Sequence, residues 1–122
     1  MTDYKAALSL SKKTGKPILA DFTGSDWCGW CIKLHKEVFD KPEFMSWAKK
    51  NVILLELDYP NQKPQTAAIK KQNAELAKKY AIQGYPTILF LNHKGDKLGE
   101  YGYAEGGPAK WTKAAEAMLK QK

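Results

Sequence analysis

The 122-residue chain carries a net charge of +7, and all 20 of its basic side chains are lysines. With 43% hydrophobic and 27% charged residues it has the make-up of an ordinary globular protein, of a length that suits one domain over residues 1–122, and no apolar run approaches the roughly 20 residues of a membrane span. Without arginine forks for phosphate and guanine, and with no lysine block longer than two, the charge describes a solvated basic face and argues against a nucleic-acid reader.

After Met1, "TDYKAALSLSKK" reads as an amphipathic helix capped by Thr2 or Asp3, with an apolar stripe at Tyr4, Ala7 and Leu8, ending before Gly15 and Pro17. No charged-then-apolar leader precedes it, so the protein is either cytosolic or had an export signal removed. The C-terminal "LKQK" is neither a retention nor a lipidation signal. "PILADF" is a short apolar run with the look of a buried strand. A polar turn, Thr23–Asp26, leads into a second helix around the cysteines, with Cys28, Cys31, Ile32, His35, Val38 and Phe39 expected on one face. Pro42 breaks that helix and starts "EFMSWAKK". "NVILLELDY" is a second core strand, followed by the loop "YPNQKPQ" and a helix marked by Ile69, Leu76, Ala77 and Tyr80. "TILFLN" and "KLGEYGY", joined by the turn "HKGD", form an antiparallel hairpin. A last helix opens at Pro108 and carries Trp111, Ala114, Ala115, Met118 and Leu119. Helices interleaved with strands predict an α/β fold, a sheet covered on both faces.

The only two cysteines lie in "DWCGWC", as Cys28 and Cys31. A closed zinc site needs four ligands, and the chain adds only His35 and a distant His93 in a turn; both read as ordinary surface or half-buried residues, and no metal site is expected. A structural disulfide across so short a loop would stabilise little. A thiol at a helix start sits beside free N–H groups and the positive end of the helix dipole, which lowers its pKa below the free value of about 8.5 and makes Cys28 a nucleophile. Cys31, one turn further in, is then placed to attack a mixed disulfide formed at Cys28.

"ILADFTGSDWCGWC" at the end of the first core strand, with "IQGYPTILFL" some fifty residues later, resembles the thioredoxin superfamily over nearly the entire chain. The "FTGSDWCGWC" form followed by "KLHKEVF" is most similar to bacterial thioredoxin-like proteins, often exported to the envelope. The resemblance implies a thioredoxin fold, a mixed sheet of about four strands with helices on both faces and an extra N-terminal helix. It implies a thiol–disulfide oxidoreductase whose only redox group is the Cys28–Cys31 couple, with no further cofactor. Pro86 takes the place of the cis-proline facing the disulfide, which would expose the backbone of Tyr85 to a partner strand.

Asp21 matches the family's buried aspartate beneath the active site, which the resemblance implies as a proton acceptor for Cys31 through water, with a capping or packing role as the alternative. Here one more residue separates it from Cys28 than in common thioredoxins, and the lysine those proteins place on the neighbouring strand is replaced by aliphatics around Leu54 and Leu55. Trp27 matches the tryptophan of the motif, Gly29 its glycine, and Trp30 replaces a proline; with Tyr85 and Pro86 these make the expected docking surface. The lack of a histidine between the cysteines leans toward a reducing or intermediate couple. The expected partners are protein disulfides and an upstream electron donor, met by a monomer with no nucleic acid and no membrane insertion, in the periplasm in preference to the cytoplasm. A non-enzymatic module or soft-metal carrier of the same fold, and a disulfide isomerase or oxidase, are the competing readings.

Overall fold

The computed structural model describes residues 1–120, running α1 (Tyr4–Thr14), β1 (Ile18–Thr23), α2 (Gly29–Leu34), α3 (Pro42–Asn51), β2 (Ile53–Asp58), α4 (Ala67–Lys79), β3 (Thr87–Leu91), β4 (Lys97–Tyr101) and α5 (Gly107–Lys120). A π-helical turn, His35–Phe39, continues α2 up to Pro42, which opens α3 in its first turn. Local chemistry sets the boundaries. The Asp3 carboxylate accepts the Ala6 N–H at 3.2 Å to cap α1, and Gly15 ends it with φ 77°, a left-handed conformation that glycine takes without a Cβ penalty. Thr66 caps α4 in the same way through Ile69 N–H.

The four strands are ordered β2-β1-β3-β4, with β1 parallel to β2 and antiparallel to β3, and with β3 and β4 forming a hairpin. β1 is central and all six of its residues are buried, which is why "ILADFT" shows no alternation. β2 lies at the edge and does alternate, burying Ile53, Leu55 and Leu57 while Leu54 and Glu56 are exposed.

Successive residues of β1 point to opposite faces and build two cores. Ile18, Ala20 and Phe22 pack with Ala7 of α1 and Leu76 of α4. Leu19 faces the other way, toward Leu34, Val38, Phe44 and Trp111, and Asp21 and Thr23 share that face. Trp111 is fully buried there, its ring centroid 5.2 Å from Phe39, 5.8 Å from Phe44 and 5.2 Å from Tyr101, while its indole N–H donates to the Gly102 carbonyl at 2.9 Å. Each such ring pair adds about 0.5–1.5 kcal/mol beyond area burial, so this helix-covered side is the rigid floor on which α2 rests. Among the described residues no helix is long and apolar enough to cross a membrane.

Candidate active site

β1 and the parallel β2 end side by side, and the loop leaving β1 at Gly24 carries the cysteines. The Cys28 N–H donates to the Gly24 carbonyl at 2.9 Å, closing a turn that aims the chain into α2. Cys28 is the N-cap: its backbone is extended, and its Sγ accepts the Cys31 N–H at 3.2 Å. The two cysteines form a disulfide, with Cα atoms 5.2 Å apart. Their surroundings differ. Cys28 is 6% exposed at the loop edge, whereas Cys31 is wholly buried and its Sγ accepts the Gly24 N–H at 3.4 Å. Cys28 thus keeps a small exposed fraction and Cys31 none.

The buried stripe of this helix is Cys31, Leu34 and Val38 with Phe39, whereas Ile32, expected on that face, is half exposed. Leu34, Val38 and Phe39 join the core along the side of the π turn, and Ile32, two residues before Leu34, lies on a different side of the helix.

Exposed tryptophans stand on both sides of Cys28 in the chain. Trp27 is 45% and Trp30 58% exposed, and neither belongs to the core. Trp27 donates from Nε1 to the Tyr59 carbonyl at 2.6 Å and meets the Tyr85 ring edge-on at 5.7 Å; Tyr85 in turn lies 5.2 Å from Tyr59. On the other flank Trp30 lies 5.2 Å from Tyr103, with the Lys33 ammonium 5.1 Å from the Trp30 centroid. The Tyr103 hydroxyl donates to Glu37 at 2.5 Å, and this bond pushes its pKa up to about 12. Gly29 is the exposed first residue of α2. The Tyr85–Pro86 bond is cis, and the β1/β3 ladder begins only at Phe22 and Thr87, leaving Tyr85 outside it.

The Asp26 carboxylate anchors the loop from its outer side by accepting the N–H groups of Asn61 at 2.9 Å, Gln62 at 2.8 Å and Lys63 at 3.2 Å. These bonds favour the ionised form and hold its pKa below the usual aspartate value.

Asp21 lies on the inner side. It is buried, and its Oδ2 meets His35 Nε2 at 2.9 Å, while Oδ1 has no partner among the described residues. A carboxylate only accepts, so Nε2 carries the hydrogen when Asp21 is ionised. Burial raises the Asp21 pKa, opposed by His35; the same hydrogen bond raises that of His35. Directly beside Asp21 on β2 stands Glu56, whose pKa is raised by desolvation and by Asp21. The neighbouring-strand position expected to be aliphatic around Leu54 and Leu55 is therefore a second carboxylate: Leu54 pairs with Leu19 and Leu55 with Ala20.

A protein-family model described as a thioredoxin-like domain matches residues 4–118. The chain belongs to the thioredoxin-like domain family. It is 35% identical over 117 residues to the disulfide bond reductase DsbH of Chlamydia pneumoniae, covering 96% of this chain and 70% of that one. It is 36% identical over 107 residues to the thioredoxin-related protein DsbJ of the same organism, covering 85% of this chain but 31% of DsbJ. Among solved structures, a DsbH oxidoreductase superposes with a TM-score of 0.94 at 33% identity, over 100% of this chain and 85% of that one. This thioredoxin-like domain is a thiol–disulfide oxidoreductase, and the Cys28–Cys31 pair is its redox group.

Of the residues singled out from the sequence, the thioredoxin-like domain gathers Cys28, Cys31, Gly29, Trp27 and Trp30 at one loop-helix junction, with Tyr85 against Trp27 and Pro86 next to Tyr85. Asp21 is held by His35 on the inner side. Sequence reasoning treated His35 as an ordinary residue and missed Asp26, Tyr59 and Tyr103. For His35 a signal existed, since it lies four residues after Cys31 and so one helical turn along the same face.

Proposed function

We propose that this chain reduces protein disulfides, with Cys28 as the attacking sulfur and Cys31 as the resolving one. The observation that carries the reading is the asymmetry of the pair: Cys28 is an N-cap that keeps a small exposed fraction and whose sulfur receives a backbone N–H, while Cys31 is wholly buried. A hydrogen bond to the ionised form favours it, so in the reduced protein the Cys31 N–H stabilises the Cys28 thiolate. That thiolate attacks one sulfur of the substrate disulfide, expels the other as a thiolate and leaves a mixed disulfide. Cys31 then gives its proton to Asp21 and attacks the Cys28 sulfur, the intermolecular bond breaks, and the second substrate sulfur departs. Two electrons have passed to the substrate, and the protein is left as the Cys28–Cys31 disulfide.

The substrate docks on the Trp27, Trp30 and Gly29 surface, and an extended segment of it pairs with the backbone at Tyr85 and Pro86. The Cys28–Cys31 pair suffices as redox group, and a dithiol protein upstream restores the reduced form. Similarity to a disulfide bond reductase supports the reducing direction, and the resemblance of "FTGSDWCGWC" to exported proteins supports an envelope location. Turbidity of insulin under dithiothreitol tests the activity: the wild type accelerates precipitation, and Cys28→Ser returns it to the uncatalysed rate. Full activity in Cys28→Ser overturns the reading.

A further inference from the structure

Asp21, Thr23 and Leu19 share one face of β1, and two buried oxygens there, Asp21 Oδ1 and Thr23 Oγ1, have no hydrogen-bond partner among the described residues. Both belong to the strand whose end carries the cysteine loop. A pocket of about 270 Å³ is bounded by Cys31, Thr23, His35 and Glu56, so the resolving cysteine and the imidazole look into the same space. His35 also borders the adjoining pocket, of about 240 Å³, which Asp21 lines. Buried polar oxygens are normally satisfied, so an unpaired carboxylate oxygen whose twin is held by His35 calls for a partner of its own.

We propose that His35 is a positioning residue for the resolving step: by holding Asp21 Oδ2 it leaves Oδ1 open to take the Cys31 proton. This deepens the function proposed above and rests on the role given there to Asp21. In the step, the Cys31 S–H bond breaks as the Asp21 Oδ1–H bond forms, and the thiolate electron pair makes the bond to the Cys28 sulfur. The proton leaves later through the pocket shared by His35 and Glu56. His35 sets how readily Asp21 accepts. Burial among Leu19, Phe39 and Phe44 favours the protonated carboxyl, and the hydrogen bond from Nε2 opposes it, keeping Asp21 able to act as a base at neutral pH. Asp58 from β2 raises Asp21 further, Glu56 and Asp40 raise His35, with Asp40 3.7 Å from Nδ1, and Lys63 and Lys36 are the nearby cations, Lys63 acting on Glu56 and Lys36 lining the pocket.

Stopped-flow tryptophan fluorescence, with oxidised glutathione as the disulfide, resolves the collapse of the mixed disulfide as a function of pH. In His35→Gln the ionisation that enables this step moves up by about one pH unit, so that the rate falls by up to about tenfold on the acid side of the wild-type midpoint and recovers on the alkaline side. Asp21→Asn abolishes the ionisation, and adding His35→Gln to it changes nothing further. A His35→Gln profile that superposes on the wild type while Asp21→Asn loses the ionisation overturns the role of His35. An unchanged profile in Asp21→Asn overturns the proton role of Asp21 itself. ¹⁵N NMR of the unmutated protein gives an independent reading: the His35 titration midpoint shifts on reduction of the disulfide, and equal midpoints in the two redox states overturn the proposal.

Discussion

The indole N–H of Trp27 donates to the backbone carbonyl of Tyr59 at 2.6 Å, fastening the loop before the reactive cysteine to the segment that leaves β2. A tryptophan that reads in the sequence as a contact surface is thus also a tie. Trp27→Phe keeps the ring and removes the donor, which costs about 1 kcal/mol, read as a lower thermal midpoint of the oxidised protein. Gly24 adds a second check, because a Cβ there collides with the Trp27 indole. Gly24→Ala displaces the ring and reproduces the loss; stability equal to wild type in both variants removes the tie.

With the resolving sulfur deleted, the intermediate has no internal exit. Cys31→Ser incubated with a disulfide-bearing protein accumulates a 1:1 mixed disulfide through Cys28, visible by mass spectrometry under non-reducing conditions, and loses steady-state reductase turnover. Attachment at any site other than Cys28 contradicts the assignment of the two sulfurs.

Asp21 and His35 both have raised folded-state pKa values. A group that binds its proton more tightly when folded stabilises the fold below its unfolded pKa and loses that contribution as pH rises through the folded one. The window therefore opens above about 3.8 for Asp21 and above about 6.5 for His35. Urea unfolding of the oxidised protein from pH 4 to 9 shows wild-type stability falling relative to Asp21→Asn as pH rises, by no more than about 1.4 kcal/mol per pH unit for each proton involved. A wild-type stability that stays constant relative to Asp21→Asn over this range, or rises against it with pH, contradicts the buried-carboxyl account.

Asp26 carries the opposite sign. Its folded-state pKa lies below the usual aspartate value because three backbone N–H groups point at it, so its hold on residues 61–63 is present above about 3.8 and is lost as pH falls through the folded value. Asp26→Ala speeds amide exchange at Asn61, Gln62 and Lys63 at pH 7, and the difference from wild type shrinks in acid. Unchanged exchange at these three amides at pH 7 counts against the anchor.

The legible parts were those whose chemistry is local. Asp3, Gly15 and Pro42 stand at helix boundaries because backbone conformation and capping are decided by a few adjacent residues. The cysteine pair could be placed at a helix start because its spacing and flanks say so. Pairings set by strand register could not be read: Glu56 lies opposite Asp21 only because Ile18 aligns with Ile53, and a shift of one position would have put an aliphatic there. The bond between His35 and Asp21 depends on how α2 crosses β1, and the contacts of Asp26 with residues 61–63 join loops 35 positions apart, distances over which periodicity carries no information.

The π turn after α2 amounts to one spare residue wound into a continuous rod. Because an ordinary helix advances about 100° per residue, excising one position between Lys36 and Phe39 would rewind the rod and swing everything beyond it against everything before it. Trp111 grips the far end through Phe39, and the disulfide fixes the near end. The excess residue is thus a phase adjuster between the greasy floor and the sulfur chemistry, and a shortened chain would have to surrender the seat of Phe39 or the aim of the His35 ring.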